Sequence, residues 1–309
     1  MVPEERIALI ILNFNHAGDT LKLWSSLQSN LGKNYCYFII DNNSEDVSEL
    51  NIISRQNYVL SLTEKSYSLC ENIPDCYSTV FIKLSQNHGY SKGNNYGLKL
   101  AFKGGLKYAF ILNPDIEIID YQVFPAILNL LKNNSQTIAL AGPKILNSSG
   151  YKLGPFRRYD LISVFRSFLY PFSILIPLLK KQIELMLFGY TRVYSIAGCF
   201  FAMNLTLCAE VDFFDETTFL YWEELIISEK LKHRKKKVIY IPYLKVIHNH
   251  VYDENFFQNQ YYLESKIIYE NRYLKLNRLT IQARKISDKY YESTWGKLKK
   301  SLSRIKGNE

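Results

Sequence analysis

Short apolar runs alternate with amphipathic segments through the first third of the chain. Ile7–Leu12 (IALIIL), Tyr35–Ile40 (YCYFII), Val80–Leu84 and Tyr108–Leu112 (YAFIL) are continuous apolar stretches, the pattern of strands covered on both faces. Thr20–Leu27 spaces Leu21, Trp24 and Leu27 at helical intervals, and Tyr96–Phe102 follows an Asn/Gly-rich loop at 86–95. Both predict helices. Strand, loop, helix, strand in this rhythm predicts βαβ units, an α/β class and a mostly parallel sheet. Ligands of such sheets bind off the carboxyl ends of the strands. Polar clusters follow the first, second and fourth of the runs at those ends.

The second half is less regular. Ile138–Ala141, Val193–Ala202, Lys237–Ile241 and Leu244–Ile247 predict strands, and Phe219–Leu231 predicts a helix. Residues 58–79 carry Ser, Thr, Asn and Pro between strands and read as a surface insertion. From Phe256 onward a helix is predicted, with a stripe of Tyr261, Tyr262, Ile267, Ile268, Tyr269, Tyr273, Leu274 and Leu276.

Composition narrows the class. Of 309 residues, 47% are apolar and 15% aromatic, which excludes a disordered chain. Cysteines stand at 36, 70, 76, 199 and 208, an odd, unclustered set that predicts thiols in a reducing cytoplasm rather than a disulfide scaffold. The N-terminus does not read as a signal peptide. The net charge is +9, and eight of those charges fall in residues 271–309, where eleven Lys/Arg face three Asp/Glu. Such a tail suits an anionic membrane surface or nucleic acid, or is a solvated helical face. No recognition motif accompanies it, so nucleic acid is not an expected partner. Leu161–Leu179 is apolar but holds Arg166, Pro171 and Pro177, too broken to span a bilayer alone. It reads equally as a membrane-surface element, ordinary core or an interface between copies of the chain.

Several residues are suited to chemistry. Asp41 ends a strand before Asn-Asn-Ser, where a carboxylate accepts hydrogen bonds from a base or ribose or caps a helix. The Asn87–Gly97 segment (NHGYSKGNNYG), with Lys92 and Asn94, opens a helix. Its glycines suit close approach to a ligand, and a helix N-terminus favours phosphate. Asn113-Pro114-Asp115 follows the fourth strand, and a carboxylate there is either a hard-cation ligand or part of a plain turn. Glu223 and Glu224 are adjacent, so burial should raise one pKa toward that of a general base. The same acids also suit a first helical turn. His248 and His250 follow a strand and are metal ligands or structural imidazoles. A dinucleotide-dependent oxidoreductase is excluded, because residues 13–19 offer a single Gly18 where a glycine fingerprint is needed.

The pieces LIILNFN (9–15), IIDNNSED (39–46), NHGYSKGNNYG (87–97), FILNPD (110–115), AGCFF (197–201), FDETTFLYWEE (214–224) and VIH (246–248) together resemble, in order, family 2 glycosyltransferases of the GT-A fold. Within that family they are most similar to the bacterial rhamnosyltransferase branch. The resemblance spans roughly residues 5–250. It implies a GT-A domain over 1–254, with a nucleotide-sugar half at 5–120 and an acceptor and catalytic half at 121–254, followed by a helical basic extension at 255–309. It implies that Asn13, Phe14 and Asp41 hold the nucleobase and ribose, that Lys92 and Asn94 lie beside the diphosphate, and that Asn113, standing for the first acid of the family's metal motif, binds the nucleotide-sugar. Asp115 and His248 would hold Mg²⁺ or Mn²⁺. Glu224, with Glu223 as the alternative, would be the base. Glu224 stands where the family usually has Asp, and Ile226 where it often has another Asp. The implied activity is inverting transfer from a nucleotide-sugar, such as dTDP-rhamnose or a UDP-sugar, to a saccharide acceptor. That acceptor would be lipid-linked, met at the cytoplasmic face of the inner membrane during cell-surface polysaccharide synthesis. The alternative is a catalytically inactive scaffold of the same fold.

Overall fold

A computed structural model describes residues 6–56, 58–70, 78–158, 175–249, 260–277, 279–282 and 286. The first half runs β1 (Ile7–Asn13), α1 (Ala17–Asn30), β2 (Tyr35–Asp41), α2 (Ser48–Ser54), β3 (Val59–Thr63), α3 (Glu64–Leu69), β4 (Thr79–Lys83), α4 (Gly89–Lys103) and β5 (Tyr108–Leu112). The second continues with β6 (Ile116–Glu117), α5 (Val123–Asn133), β7 (Ile138–Asn147), β8 (Lys152–Leu153), α6 (Leu175–Phe188), β9 (Thr191–Val193), β10 (Phe200–Asn204), α7 (Leu205–Ala209), α8 (Glu223–His233), β11 (Lys237–His248) and α9 (Gln260–Ile268). A π-helical turn, Tyr269–Tyr273, follows directly.

Among the described residues one sheet holds the strands in the order β3-β4-β2-β1-β5-β10-β7-β11-β6, with β8 on β7 and β9 on β11. The half from β3 to β5 is wholly parallel, as the sequence predicts. Beyond β5 the sheet is mixed, because β10 runs antiparallel to both β5 and β7. The two faces separate by strand alternation. Ile7, Leu9 and Ile11 pack with Trp24, Phe110 and Phe124 under α1 and α5. Ala8, Ile10, Phe38 and Ile40 pack with Leu98 and Ala101 of α4.

Four readings change. The supposed insertion at 58–79 contributes β3, an edge strand in register with β4, and α3; residues 71–77 lie outside the described set. The single strand expected at 193–202 is two, β9 and β10, separated by a loop. The two strands at 237–241 and 244–247 are one, β11, with an irregularity between Ile241 and Lys245. The helix expected from Phe219 starts at Glu223, because Tyr221 and Trp222 both have φ 69°, a left-handed conformation that cannot propagate a right-handed helix. The cores of Leu161–Leu179 and of the basic tail fall largely outside the described residues, as does His250. Among the described residues no helix is long and apolar enough to cross a membrane.

The glycines of 87–97 serve a purpose other than the expected one. Gly89, Gly93 and Gly97 recur at four-residue intervals along α4. A Cβ at Gly93 would lie 2.6 Å from Leu12, and one at Gly97 would lie 2.9 Å from Ile40 and 3.0 Å from Ile10. A Cβ at Gly89 would meet the Phe219 carbonyl oxygen at 2.2 Å. These glycines let α4 lie directly on β1 and β2 and against the 219 turn. The close approach is to protein.

Candidate active site

The carboxyl ends of β1 and β2 form the first part of the site. The two strands are in parallel register through Asn13↔Asp41, so both side chains emerge from one edge. Thr20 of α1 donates to Asn13 Oδ1 at 2.7 Å, and Asn13 Nδ2 donates to Ser44 Oγ at 2.8 Å and toward Asp41 Oδ1 at 3.4 Å. The Ser44 amide donates to the same Asp41 oxygen at 3.1 Å. Asp41 is buried, and its other oxygen, Oδ2, has no partner among protein groups. A buried carboxylate oxygen without a donor is costly, which makes it a ready acceptor for a ligand N–H or hydroxyl. Phe14, 42% exposed, sits at the open edge beside this cradle. Ser44 and Thr20 are the members that sequence reasoning missed. Their signal was only that polar residues follow each strand.

Asn42 ties this edge to α4. Its amide donates to Asn87 Oδ1 at 2.8 Å and to the Gly89 carbonyl at 3.1 Å, and its oxygen accepts the His88 amide at 2.9 Å. Lys92 and Asn94 lie in the first turns of α4. Asn94 is fully enclosed and donates to the Tyr90 carbonyl at 3.0 Å. Lys92 is half-buried, and its charge acts on Glu216. Burial opposes ionisation of Glu216, but bonds from Lys99 and Asn95, with the charges of Lys99 and Lys92, hold its carboxyl below the usual range.

The third element is a two-residue strand that the hydrophobic pattern did not announce. β6 pairs antiparallel with the end of β11, His248 opposite Ile116. This pairing brings Asp115 beside His248, with Oδ1 to Nε2 at 3.2 Å, the two side chains 15% and 9% exposed. Two donors bound side by side to one octahedral divalent ion, at bonds of about 2.1 Å, stand roughly 3 Å apart. A carboxylate oxygen and an imidazole nitrogen suit a divalent ion such as Mn²⁺, and their spacing fits. Among the described residues no group of three or more His, Cys, Asp and Glu gathers. Two protein ligands would leave the remaining positions to a diphosphate and water, as is usual for such ions.

The last element is the acid pair. Glu223 and Glu224 open α8. Burial, then the charge of Glu224, pushes the Glu223 carboxyl well above its ordinary value, opposed by its own amide. Burial likewise raises Glu224, opposed by the amides of Glu224 and Gly198. Glu223 is 5% exposed and its Oε2 has no partner. Glu224 Oε1 accepts the Gly198 amide at 3.0 Å.

Residues 198–199 join all the parts. The Gly198 carbonyl accepts the Tyr90 hydroxyl at 2.7 Å, and the Cys199 carbonyl accepts the Asn113 amide at 2.9 Å. Burial raises the Cys199 thiol pKa, and the charges of Glu224 and Asp115 raise it further. The seat needs glycine, since a Cβ at 198 would stand 2.3 Å from Glu224 Oε1. The AGCFF motif was visible in the sequence, but the roles of Gly198 and of Tyr90 were not.

The fold is that of GT-A glycosyltransferases. The chain aligns over 95% of its length with GalNAc-T7, solved with UDP, GalNAc and Mn²⁺, at a TM-score of 0.60 and 14% identity, covering 57% of that protein. It aligns over 95% with the mannosyltransferase PcManGT of Pyrobaculum calidifontis, solved with GDP-Man and Mn²⁺, at a TM-score of 0.57 and 9% identity, covering 71% of that protein. In sequence it is 23% identical over 202 residues to the low-salt glycan biosynthesis hexosyltransferase Agl10 of Haloferax volcanii, which takes in 64% of this chain. The match spans 60% of that relative's length. No protein-family model matches the chain.

Proposed function

We propose that the protein is an inverting, metal-dependent glycosyltransferase of family 2 that moves a hexose from a nucleotide-sugar to a saccharide acceptor. The observation that carries this reading is the convergence on residues 198–199. There the Glu224 carboxyl and the turn bearing Asp115 meet beside the nucleotide edge of a GT-A sheet. Asn13, Phe14 and Asp41 bind the base and ribose, and Lys92, Asn94 and Asn113 line the diphosphate side. Asp115 and His248 hold Mg²⁺ or Mn²⁺, which when bound neutralises charge on the departing nucleoside diphosphate. Glu224 takes the proton of the acceptor hydroxyl as that oxygen attacks the anomeric carbon from the face opposite the leaving group. One displacement inverts the centre, and no covalent enzyme intermediate forms. Gly198 N–H aims the Glu224 carboxyl, and burial keeps its proton affinity high enough for a base.

The donor is a UDP-, GDP- or dTDP-hexose, with dTDP-rhamnose supported by the resemblance to the rhamnosyltransferase branch. The acceptor is lipid-linked, at the cytoplasmic face of a membrane. The basic tail supports this at about 1 kcal/mol per Lys or Arg near anionic lipid, as does the apolar stretch 161–179.

A panel of nucleotide-sugars tests the reading, by thermal shift and by release of nucleoside diphosphate with Mn²⁺, Mg²⁺ or EDTA. One donor should bind in a metal-dependent way and turn over. Asp115→Ala should abolish the metal dependence of binding. Glu224→Gln should bind the donor yet lose about 10²–10⁴ in kcat. No metal-dependent binding of any nucleotide-sugar would overturn the proposal. Flotation of the full chain with anionic liposomes at low salt tests the membrane reading separately, and failure to float would remove it alone.

A further inference from the structure

The acid pair sits at the end of a turn that the local sequence does not hold. Tyr221 and Trp222 both lie at φ 69°, a conformation that costs non-glycine residues about 1–3 kcal/mol each. Trp222 occupies the N-cap position of α8 without a side-chain cap bond. Such strain persists only where surrounding packing over-determines it. Here α4 meets the turn at Phe219, and further packing comes from about forty residues downstream. Phe219 stacks on Tyr261 with centroids 4.5 Å apart, Ser265 Oγ donates to the Leu220 carbonyl at 2.9 Å, and Tyr221 meets Tyr262 at 6.0 Å. The Trp222 ring lies against Tyr262 at 5.3 Å and Tyr269 at 5.4 Å. Trp222, Leu225, Ile226 and Tyr269 form an apolar cluster of their own, apart from the two cores of the sheet.

Tyr269 reaches α8 in two ways, directly at its N-cap and through Tyr194. It is fully buried. Its ring packs on the N-cap Trp222, and its hydroxyl bonds Tyr194 at 2.6 Å. Tyr194 in turn donates to Glu229 Oε2 at 2.7 Å, two turns along the same helix. Arg158 grips that carboxylate through two bonds, at 2.8 and 2.6 Å. Burial opposes ionisation of Glu229, but the Arg158 and Tyr194 bonds hold its carboxyl below the usual range. At the far side of the 212–224 loop, Asp215 pairs with Arg272 at 3.2 Å and accepts the Tyr273 hydroxyl.

We propose that Tyr269 is a positioning residue for the catalytic carboxylates: its ring holds the strained 221–222 turn and its hydroxyl, through Tyr194 and Glu229, fixes the axis of the helix that bears Glu223 and Glu224. The C-terminal segment 260–273 is thereby part of the active site although no residue of it is a reacting group. The inference rests on the glycosyltransferase reading. It assigns Tyr269 a role in kcat rather than in donor binding, since its ring and hydroxyl act on α8 through Trp222, Tyr194 and Glu229.

The test uses the full-length protein with the donor identified as above. Tyr269→Ala should lower kcat by about 10²-fold, the effect expected of a misplacement of about 1 Å, with donor KM and nucleotide affinity within twofold of wild type. Tyr269→Phe keeps the ring but not the hydroxyl bond to Tyr194 and should lose about threefold to tenfold. Hydrogen exchange supplies a readout independent of turnover. The Ile226 amide, bonded to the Trp222 carbonyl at 2.9 Å, should lose protection in Tyr269→Ala, while the amides of β1 and β5 keep theirs. Unchanged Ile226 protection, or a kcat within threefold of wild type, would overturn the inference. So would a parallel loss of donor affinity and kcat, the mark of general unfolding. If Tyr269→Ala does not fold, Tyr269→Phe decides by the same two readouts: a kcat and Ile226 protection both indistinguishable from wild type would overturn it. A wild type without turnover on any donor would sink the transferase reading, while the exchange result would still judge the clamp.

Discussion

Gly198→Ala puts the proposed catalytic seat under direct strain. The added methyl would stand 2.3 Å from Glu224 Oε1 and 2.9 Å from its Cδ and Cγ. Ordinary contact between carbon and a heavy atom is about 3.5 Å, so the overlap with the carboxyl oxygen is roughly 1 Å. The Gly198 segment cannot retreat freely. Its carbonyl accepts Tyr90, and the next carbonyl accepts the Asn113 amide. The carboxyl must therefore move, losing the 3.0 Å bond from the Gly198 amide, worth about 1–3 kcal/mol. A displacement of about 1 Å in a reacting group costs on the order of 10² in rate. Overpacking of this kind costs about 1–3 kcal/mol of stability, which leaves the protein folded. Nucleoside diphosphate release from the productive donor should fall about a hundredfold while donor affinity is unchanged. A double-mutant cycle sharpens the test. Glu224→Asp withdraws the carboxyl by about one C–C bond, roughly 1.5 Å, and so relieves the shortest contact, leaving only the 2.9 Å one at Cγ. Gly198→Ala should then cost far less when combined with Glu224→Asp, with a coupling above about 1 kcal/mol. Additive losses, or a Gly198→Ala enzyme within threefold of wild type, would refute the seat.

The same region governs two stability measurements. Glu223 has its native pKa raised above the unfolded value by burial and by Glu224; its protonated form is favoured by folding, so the stability it contributes is present at low pH and is lost as pH rises from about 4.5 through the native value. Glu223→Gln should therefore melt above wild type by a margin that widens as pH is raised from 4 to 8, and a margin constant with pH would contradict the buried-carboxyl assignment. Gly89 combines φ +77° with a Cβ position 2.2 Å from the Phe219 carbonyl oxygen, so Gly89→Ala should destabilise by about 2 kcal/mol or more. Urea denaturation checks this, and a loss below about 0.5 kcal/mol would refute the close approach of α4 to the 219 turn.

The strands were legible because they are buried on both faces. Ile7–Leu12 and Tyr108–Leu112 read as unbroken apolar runs, and burial on two sides leaves no polar alternation to confuse with another element. The positions of Asp41, Asp115 and the Glu223–Glu224 pair at strand ends and a helix start were legible for the opposite reason, while the roles proposed for them come from the resemblance. Polar residues that directly end an apolar run or open a helix mark the sheet edge where a ligand binds. What escaped the sequence depended on partners distant along the chain. β6 is two residues long and carries no periodicity, yet its pairing with β11 sets Asp115 against His248 across about 130 positions. The glycines of 89–97 were legible as glycines, but only the packing of α4 showed that protein rather than ligand fills the space beside them. The late start of α8 lies beyond propensity altogether. Tyr221 and Trp222 have no local reason to be left-handed. The Trp222 ring packs on Tyr262 and Tyr269, which reach it only once the chain has folded back. Periodicity and polar punctuation are properties of neighbours in sequence, and they specified most of the elements. Register, close approach and strain are properties of neighbours in space, and the tertiary structure alone decided them.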